Sequence, residues 1–160
     1  MLGKAIALAA ELFDGVYDKG GQPYILHCLA VMYGLPDVVD DETRQIAVLH
    51  DIFEDTKATP DMLRELGFSE RVISGILVLT HRSGESYSDY ISRVSVFFET
   101  VLVKLSDLQH NSDITRLKGV TEKDLKRIEK YHRAFKYLSA YTPSFKPNTK
   151  SCYHAGYEVE

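Results

Sequence analysis

An all-α, single-domain fold of about seven to nine helices is what this 160-residue sequence predicts. Three observations carry that expectation. Apolar residues recur at three- and four-residue spacings along nearly the whole chain. No stretch alternates with the two-residue period of a half-buried strand, and caps, prolines and glycines punctuate the apolar runs at helix lengths. A second independent core does not fit the length, and a domain of this size buries roughly 70% of its unfolded surface without needing disulfides.

The elements follow in order. Leu2 to Tyr17 places Ile6, Leu8, Ala9, Leu12, Phe13 and Val16 on one face, and Gly20 and Gly21 stop it. Pro23 suits the first turn of a helix to Tyr33, ended by Gly34 and Pro36. Asp40, Asp41 and Glu42 suit the positive end of a helix from Asp41 to Glu54. Thr59-Pro60 opens a short helix to Leu66, stopped by Gly67, and Ser69-Glu70 caps another to Thr80. His81 to Glu85 reads as a solvated loop, after which Tyr87 to Val94 is helical again. Phe97 to Gln109 is apolar around most of its circumference and reads as a buried helix, although Thr100 to Leu105 also suits a short strand. Thr121-x-x-Asp124 has the form of a capping box and opens a helix to Ala140, with Leu125, Ile128, Tyr131, Phe135 and Leu138 on one side. The pattern stops there, so residues 1–141 form the domain and 142–160 a tail or surface strap.

Composition narrows the function classes. With 19 Lys+Arg against 23 Asp+Glu, the net charge of −4 gives no bulk reason to bind nucleic acid or an anionic membrane. No apolar run approaches the roughly 20 residues of a membrane helix, and Met1 to Ala10 lacks the organisation of a cleavable signal, so a cytoplasmic location is expected. Cys28 and Cys152 are far apart with no Cys-x-x-Cys, which reads as reduced thiols, Cys28 being a small core residue.

The informative residues are ionisable groups inside apolar helical runs, where charge is costly unless paired or bound to metal. In Ala47-Val48-Leu49-His50-Asp51-Ile52-Phe53-Glu54-Asp55, His50 and Asp51 lie about 100° apart around a helix and can face one ion, with Glu54 and Asp55 one turn on. His27 is alone among apolar residues in Tyr24 to Val31, and Asp107 is the one carboxylate in Val101 to Leu108. His27, His50, Asp51 and Asp107 form a mixed nitrogen and oxygen set that suits manganese, iron, cobalt, nickel or zinc with positions left open for water. Such a site polarises water and phosphoryl oxygens, and Glu54 and Asp55 are placed to orient or deprotonate that water. His81, His110, His132 and His154 read as bystanders, with His110 and His132 facing water.

The order His27, His50-Asp51, Asp107 resembles the HD superfamily of metal-dependent phosphohydrolases. Gly21-Gln22-Pro23-Tyr24-Ile25-x-His27, Leu49-His50-Asp51-x-x-Glu54-Asp55-Thr56 and Val103-Lys104-Leu105-Ser106-Asp107-x-x-x-Asn111 are similar to the hydrolase domain of the RelA/SpoT group and its small stand-alone relatives. The resemblance runs from about Ala5 to Leu138. It implies one divalent ion, usually manganese, on the two histidines and two aspartates, with iron, cobalt, nickel, zinc and magnesium as other candidates. It implies a Glu54-Asp55 pair serving the attacking water, and removal of the 3′-pyrophosphate of guanosine tetra- or pentaphosphate. For the nucleotide it points to Lys19, Asn111, Arg127 and Tyr131.

Two positions depart from the family. Asp18 stands where an Arg precedes the Lys, and Phe13 where the first helix has a histidine. Asp18 removes a base or phosphate contact and adds a repelling charge. Two other readings therefore stay open: the same chemistry on another nucleotide, such as a nucleoside or deoxynucleoside phosphate or NADPH, and a nucleotide-binding helical module without turnover.

Overall fold

The computed structural model describes residues 1–142, so Cys152, His154 and nearly all of the expected strap at 142–160 lie outside the described residues. Among the described residues there are nine α-helices, one short 3₁₀ turn and no strand. The helices are α1 (Leu2–Leu12), α2 (Tyr24–Tyr33), α3 (Asp41–Leu49), α4 (Ile52–Asp55), α5 (Pro60–Glu65), α6 (Glu70–Leu79), α7 (Tyr87–Val94), α8 (Phe98–Ser112) and α9 (Glu122–Ser139). The all-α reading holds, and the helix reading of Phe97 to Gln109 prevails over the strand, the helix running three residues further.

α3 and α8 form the centre. Six of the nine α3 residues are buried, and the helix contacts α1, α2, α6 and α8. α8 contacts α2, α3, α6, α7 and α9, which is why its apolar residues wrap most of its circumference. α2 and α8 approach closely at Gly34, where a Cβ would meet the Ser106 Oγ at 2.1 Å. Ser106 Oγ donates across this contact to the Val31 carbonyl at 2.8 Å, next to Asp107 in sequence. Cys28 is fully buried in the core.

The caps form as their residue types require. Asp40, Thr59, Ser69 and Ser86 each accept a hydrogen bond from the backbone N–H three residues on. Thr121 and Asp124 make both bonds of the capping box.

Four expectations are corrected. α1 ends at Leu12, because Asp14-Gly15 turns the chain with Gly15 at φ +74°. Residues 16–23 then form a tight loop in which Tyr17 and Pro23 bridge, and Pro23 caps α2 instead of joining its first turn. The helix expected from Asp41 to Glu54 breaks at His50-Asp51, since Asp51 adopts φ −102°, ψ 0° and starts α4. Leu125 is 56% exposed, and the residues of α9 that are buried, Ala134 and Leu138, lie toward its C-terminal end.

Candidate metal centre and nucleotide cavity

Three segments bring the ionisable residues to one point. His27 comes from the middle of α2, His50 and Asp51 from the break between α3 and α4, and Asp107 from α8. The break turns two adjacent side chains toward one centre, which a continuous helix would hold about 100° apart. His50 Nε2 lies 2.9 Å from Asp51 Oδ2 and 3.7 Å from Asp107 Oδ1. His27 Nε2 lies 3.3 Å from Asp107 Oδ1 and 3.6 Å from Asp51 Oδ2.

Both Nε2 atoms are buried and have no hydrogen-bond partner among the described residues. Leaving two such atoms unsatisfied is costly unless something else takes their lone pairs. Ligands about 2.1 Å from a shared ion sit about 3 Å from one another at right angles, the spacing found here. His27, His50 and Asp107 could thus hold a metal ion, and Asp51 stands within the same reach.

The electrostatics agree. Burial opposes charge on His50, yet Asp51 and Asp107 beside it push its pKa up to about 10, and His27 is raised by the same carboxylates. Burial likewise opposes the charge on Asp107 and Asp51. Lys104 outweighs it at Asp107, and His50 at Asp51, holding both carboxyls well below their usual range. Lys104 supplies one positive charge against the two carboxylates, and imidazolium protons or a divalent cation can supply the remainder.

A surrounding layer holds the four side chains. His50 Nδ1 sits 2.8 Å from the Ala47 carbonyl. Tyr24 OH donates to Asp51 Oδ2 at 2.6 Å, Lys104 Nζ to Asp107 Oδ2 at 2.8 Å, and Asn111 Nδ2 to Asp107 Oδ1 at 2.5 Å. His27 Nδ1 meets His110 Nδ1 at 2.7 Å. His110, expected to face water, is therefore half-buried against His27, and burial, Arg116 and His27 push its pKa down to about 4. Sequence reasoning missed Lys104 and His110. Lys104 carries the same signal as Asp107, a charge in an apolar run, whereas His110 has no local signal because its partner is 83 residues away. His132 is exposed, as expected.

A cavity of about 490 Å³ opens over this centre, lined by Glu54, Asp55, Lys19, Asn111, Arg127 and Tyr131 among others. Glu54 is held by the His81 backbone N–H at 2.5 Å, so the loop read as merely solvated contributes a donor. Burial raises the Glu54 and Asp55 carboxyls, with Asp51 adding to both. Arg127 is paired with Asp124 at 2.8 Å, and burial together with Arg127 lowers Lys19. Asn111 is turned inward to Asp107.

Asp18 does not stand as the bare repelling charge expected from its position. Arg116, in the 3₁₀ turn after α8, donates Nη2 to its Oδ2 at 2.5 Å, and Gln22 N–H donates to its Oδ1 at 2.9 Å. Gly20 permits the contact, since a Cβ there would meet the Arg116 carbonyl oxygen at 2.3 Å. Phe13, at the other departing position, is a core residue packed on Tyr24 with ring centroids 4.8 Å apart.

No protein-family model matches the chain. It is 31% identical over 122 residues to a GTP pyrophosphokinase of Myxococcus xanthus, covering 68% of this chain and 16% of that protein. It is 31% identical over 121 residues to the bifunctional (p)ppGpp synthase/hydrolase SpoT of Escherichia coli, covering 69% and 17%. It is 30% identical over 153 residues to a guanosine-3′,5′-bis(diphosphate) 3′-pyrophosphohydrolase of Borreliella burgdorferi, covering 88% and 22%. The chain thus spans 16–22% of the length of these relatives. A solved structure of a metazoan SpoT ortholog shares the fold, with a TM-score of 0.73 over 86% of this chain and 84% of the other at 19% identity. Fold and centre define an all-α domain with a buried cluster of two histidines and two carboxylates. Over the matched stretches the chain is similar to these RelA/SpoT-type proteins, and its fold is that of the metazoan SpoT ortholog. No described helix is long and apolar enough to cross a membrane.

Proposed function

We propose that this chain is a divalent-metal-dependent phosphohydrolase that removes the 3′-pyrophosphate of a guanosine tetra- or pentaphosphate. The observation that carries the reading is the pair of buried, unpartnered imidazole nitrogens of His27 and His50, facing Asp51 and Asp107 under a cavity edged by cations. His27, His50, Asp51 and Asp107 would hold the ion, with manganese first and iron, cobalt, nickel, zinc or magnesium as other occupants. When bound, the ion polarises water and phosphoryl oxygens.

The protein's own groups supply the rest. Glu54 takes a proton from the attacking water, with its carboxylate fixed by the His81 N–H and its pKa raised toward that of a useful base. The water oxygen bonds to the 3′-linked phosphorus, the bond from phosphorus to the ribose 3′ oxygen breaks, and that oxygen gains a proton as pyrophosphate leaves. Asp55, raised in the same way, is the second acid–base group on this edge of the cavity. Lys19 and Arg127 meet phosphate oxygens, Tyr131 packs on base or sugar, and Asn111 serves the nucleotide through its tie to Asp107. The relation to proteins named as 3′-pyrophosphohydrolases supports the choice of substrate.

A second reading keeps the chemistry and changes the nucleotide to a nucleoside or deoxynucleoside phosphate or NADPH. The Asp18–Arg116 pair favours it, because the cation at this end of the cavity comes from a different segment. Release of phosphate and pyrophosphate from guanosine 3′-pyrophosphates, nucleoside triphosphates, deoxynucleotides and NADPH, with manganese and with a chelator, separates the two. Chelator-sensitive pyrophosphate release from the guanosine compounds alone supports the first reading. Turnover of another nucleotide supports the second, and no turnover of any would leave a binding module.

A further inference from the structure

We infer that His110 is a positioning residue for the metal centre: its Nδ1 accepts the Nδ1–H of His27 and so turns the His27 Nε2 lone pair toward the ion. The inference rests on the metal reading above and goes beyond it, since His110 is outside the four-residue set.

The two imidazoles of the centre are held differently. His50 Nδ1 is 2.8 Å from the Ala47 carbonyl of its own helix, so backbone fixes its tautomer with Nε2 free. On that side His27 has, among the described residues, another imidazole as its partner, in place of a carbonyl or carboxylate. Its Nδ1 is 2.7 Å from the Nδ1 of His110, with ring centroids 4.9 Å apart. A nitrogen–nitrogen hydrogen bond needs one donor and one acceptor. His27 Nε2 is buried, unpartnered and aimed at the cluster, so its lone pair belongs there and the ring proton belongs on Nδ1. His110 Nδ1 is therefore the acceptor and its own proton lies on Nε2. Residues that orient a ligating histidine in this way govern metal affinity.

The placement of His110 fits this task. It lies three residues after Asp107 on α8, on the same helix face, so one turn of α8 carries a carboxylate to the centre and an acceptor to the ligand from α2. Arg116 secures the end of that turn, donating Nη1 to the His110 carbonyl at 2.7 Å and Nη2 to Asp18. A side chain on the pocket's edge is thereby tied to the histidine that holds the metal ligand.

The test is Mn²⁺ binding by equilibrium dialysis, read alongside thermal unfolding, for the full chain, His110→Phe and His110→Asn. Phenylalanine keeps the ring and removes the acceptor, whereas the asparagine side-chain oxygen occupies nearly the same place as Nδ1. The expected result is unchanged stoichiometry, affinity about 10- to 100-fold weaker in His110→Phe, and recovery in His110→Asn. Equal affinity in all three overturns the role of His110. Absence of Mn²⁺ binding by the unaltered chain instead overturns the metal reading itself. Should His110→Phe fail to fold, nitrogen-15 NMR of the unaltered chain loaded with Zn²⁺ decides. An unprotonated His110 Nδ1 supports the inference and a protonated one overturns it.

Discussion

The floor of the cavity and its rim are built in opposite ways. The floor comes from α2, the α3–α4 break and α8, where packing of the helices fixes the backbone and each of the four side chains is held by a neighbour. The rim comes from the 17–23 loop, the turn after α8 and the cavity-facing side of α9, where charges sit in pairs such as Asp18–Arg116 and Arg127–Asp124. A buried centre has one arrangement available to it, because any unsatisfied group there is expensive. A rim can exchange partners at little cost, so substrate preference can change there while the chemistry below stays constant.

Substitutions should separate the two regions. The largest effect belongs to the floor: Asp107→Ala removes tight manganese binding and turnover together, and a chelator does the same to the unaltered chain until metal is restored, as followed by pyrophosphate release. If metal stays bound, the four-residue set is wrong. Next, Glu54→Gln retains the metal and lowers kcat by about 10²–10⁴-fold. An effect under tenfold would transfer the acid–base role to Asp55.

The pH profile sharpens that result. Burial raises the Glu54 carboxyl, and the deprotonated form is the proposed base, so kcat should fall as pH drops through a value raised from that of an ordinary Glu. That acidic limb should vanish in Glu54→Gln, and its persistence there would assign it to another group. The rim gives the smallest effects. Lys19→Ala should raise KM several-fold more than it lowers kcat, the proposed role being to bind phosphate equally before and during reaction. An equal fall in kcat and kcat/KM would move Lys19 into the transition state.

Legibility in the sequence follows the same division. Helix positions were readable because caps and apolar spacing are local, as at Ser69, Ser86 and the Thr121–Asp124 box. His27, His50, Asp51 and Asp107 stood out because charge inside an apolar run violates the helix pattern, and the structure brings those four side chains together. The break at His50–Asp51 was not readable, since both flanks have good helical spacing and tertiary contacts choose the kink. Nor were His110 with His27 or Asp18 with Arg116, partners 83 and 98 residues apart that no local pattern joins. The end of α1 was misread because Val16 continues the apolar spacing past the turn at Gly15.

The centre draws its side chains from α2, the α3–α4 break and α8, segments remote in sequence that meet only in the native state. A divalent ion held there acts as a reversible crosslink, and its binding free energy adds to that of folding. At a hundred times its dissociation constant such an ion contributes about 2.7 kcal/mol, a large share of the 5–15 kcal/mol that typically holds a domain together. Metal supply would then set how long the chain survives proteolysis as well as how fast it turns over substrate.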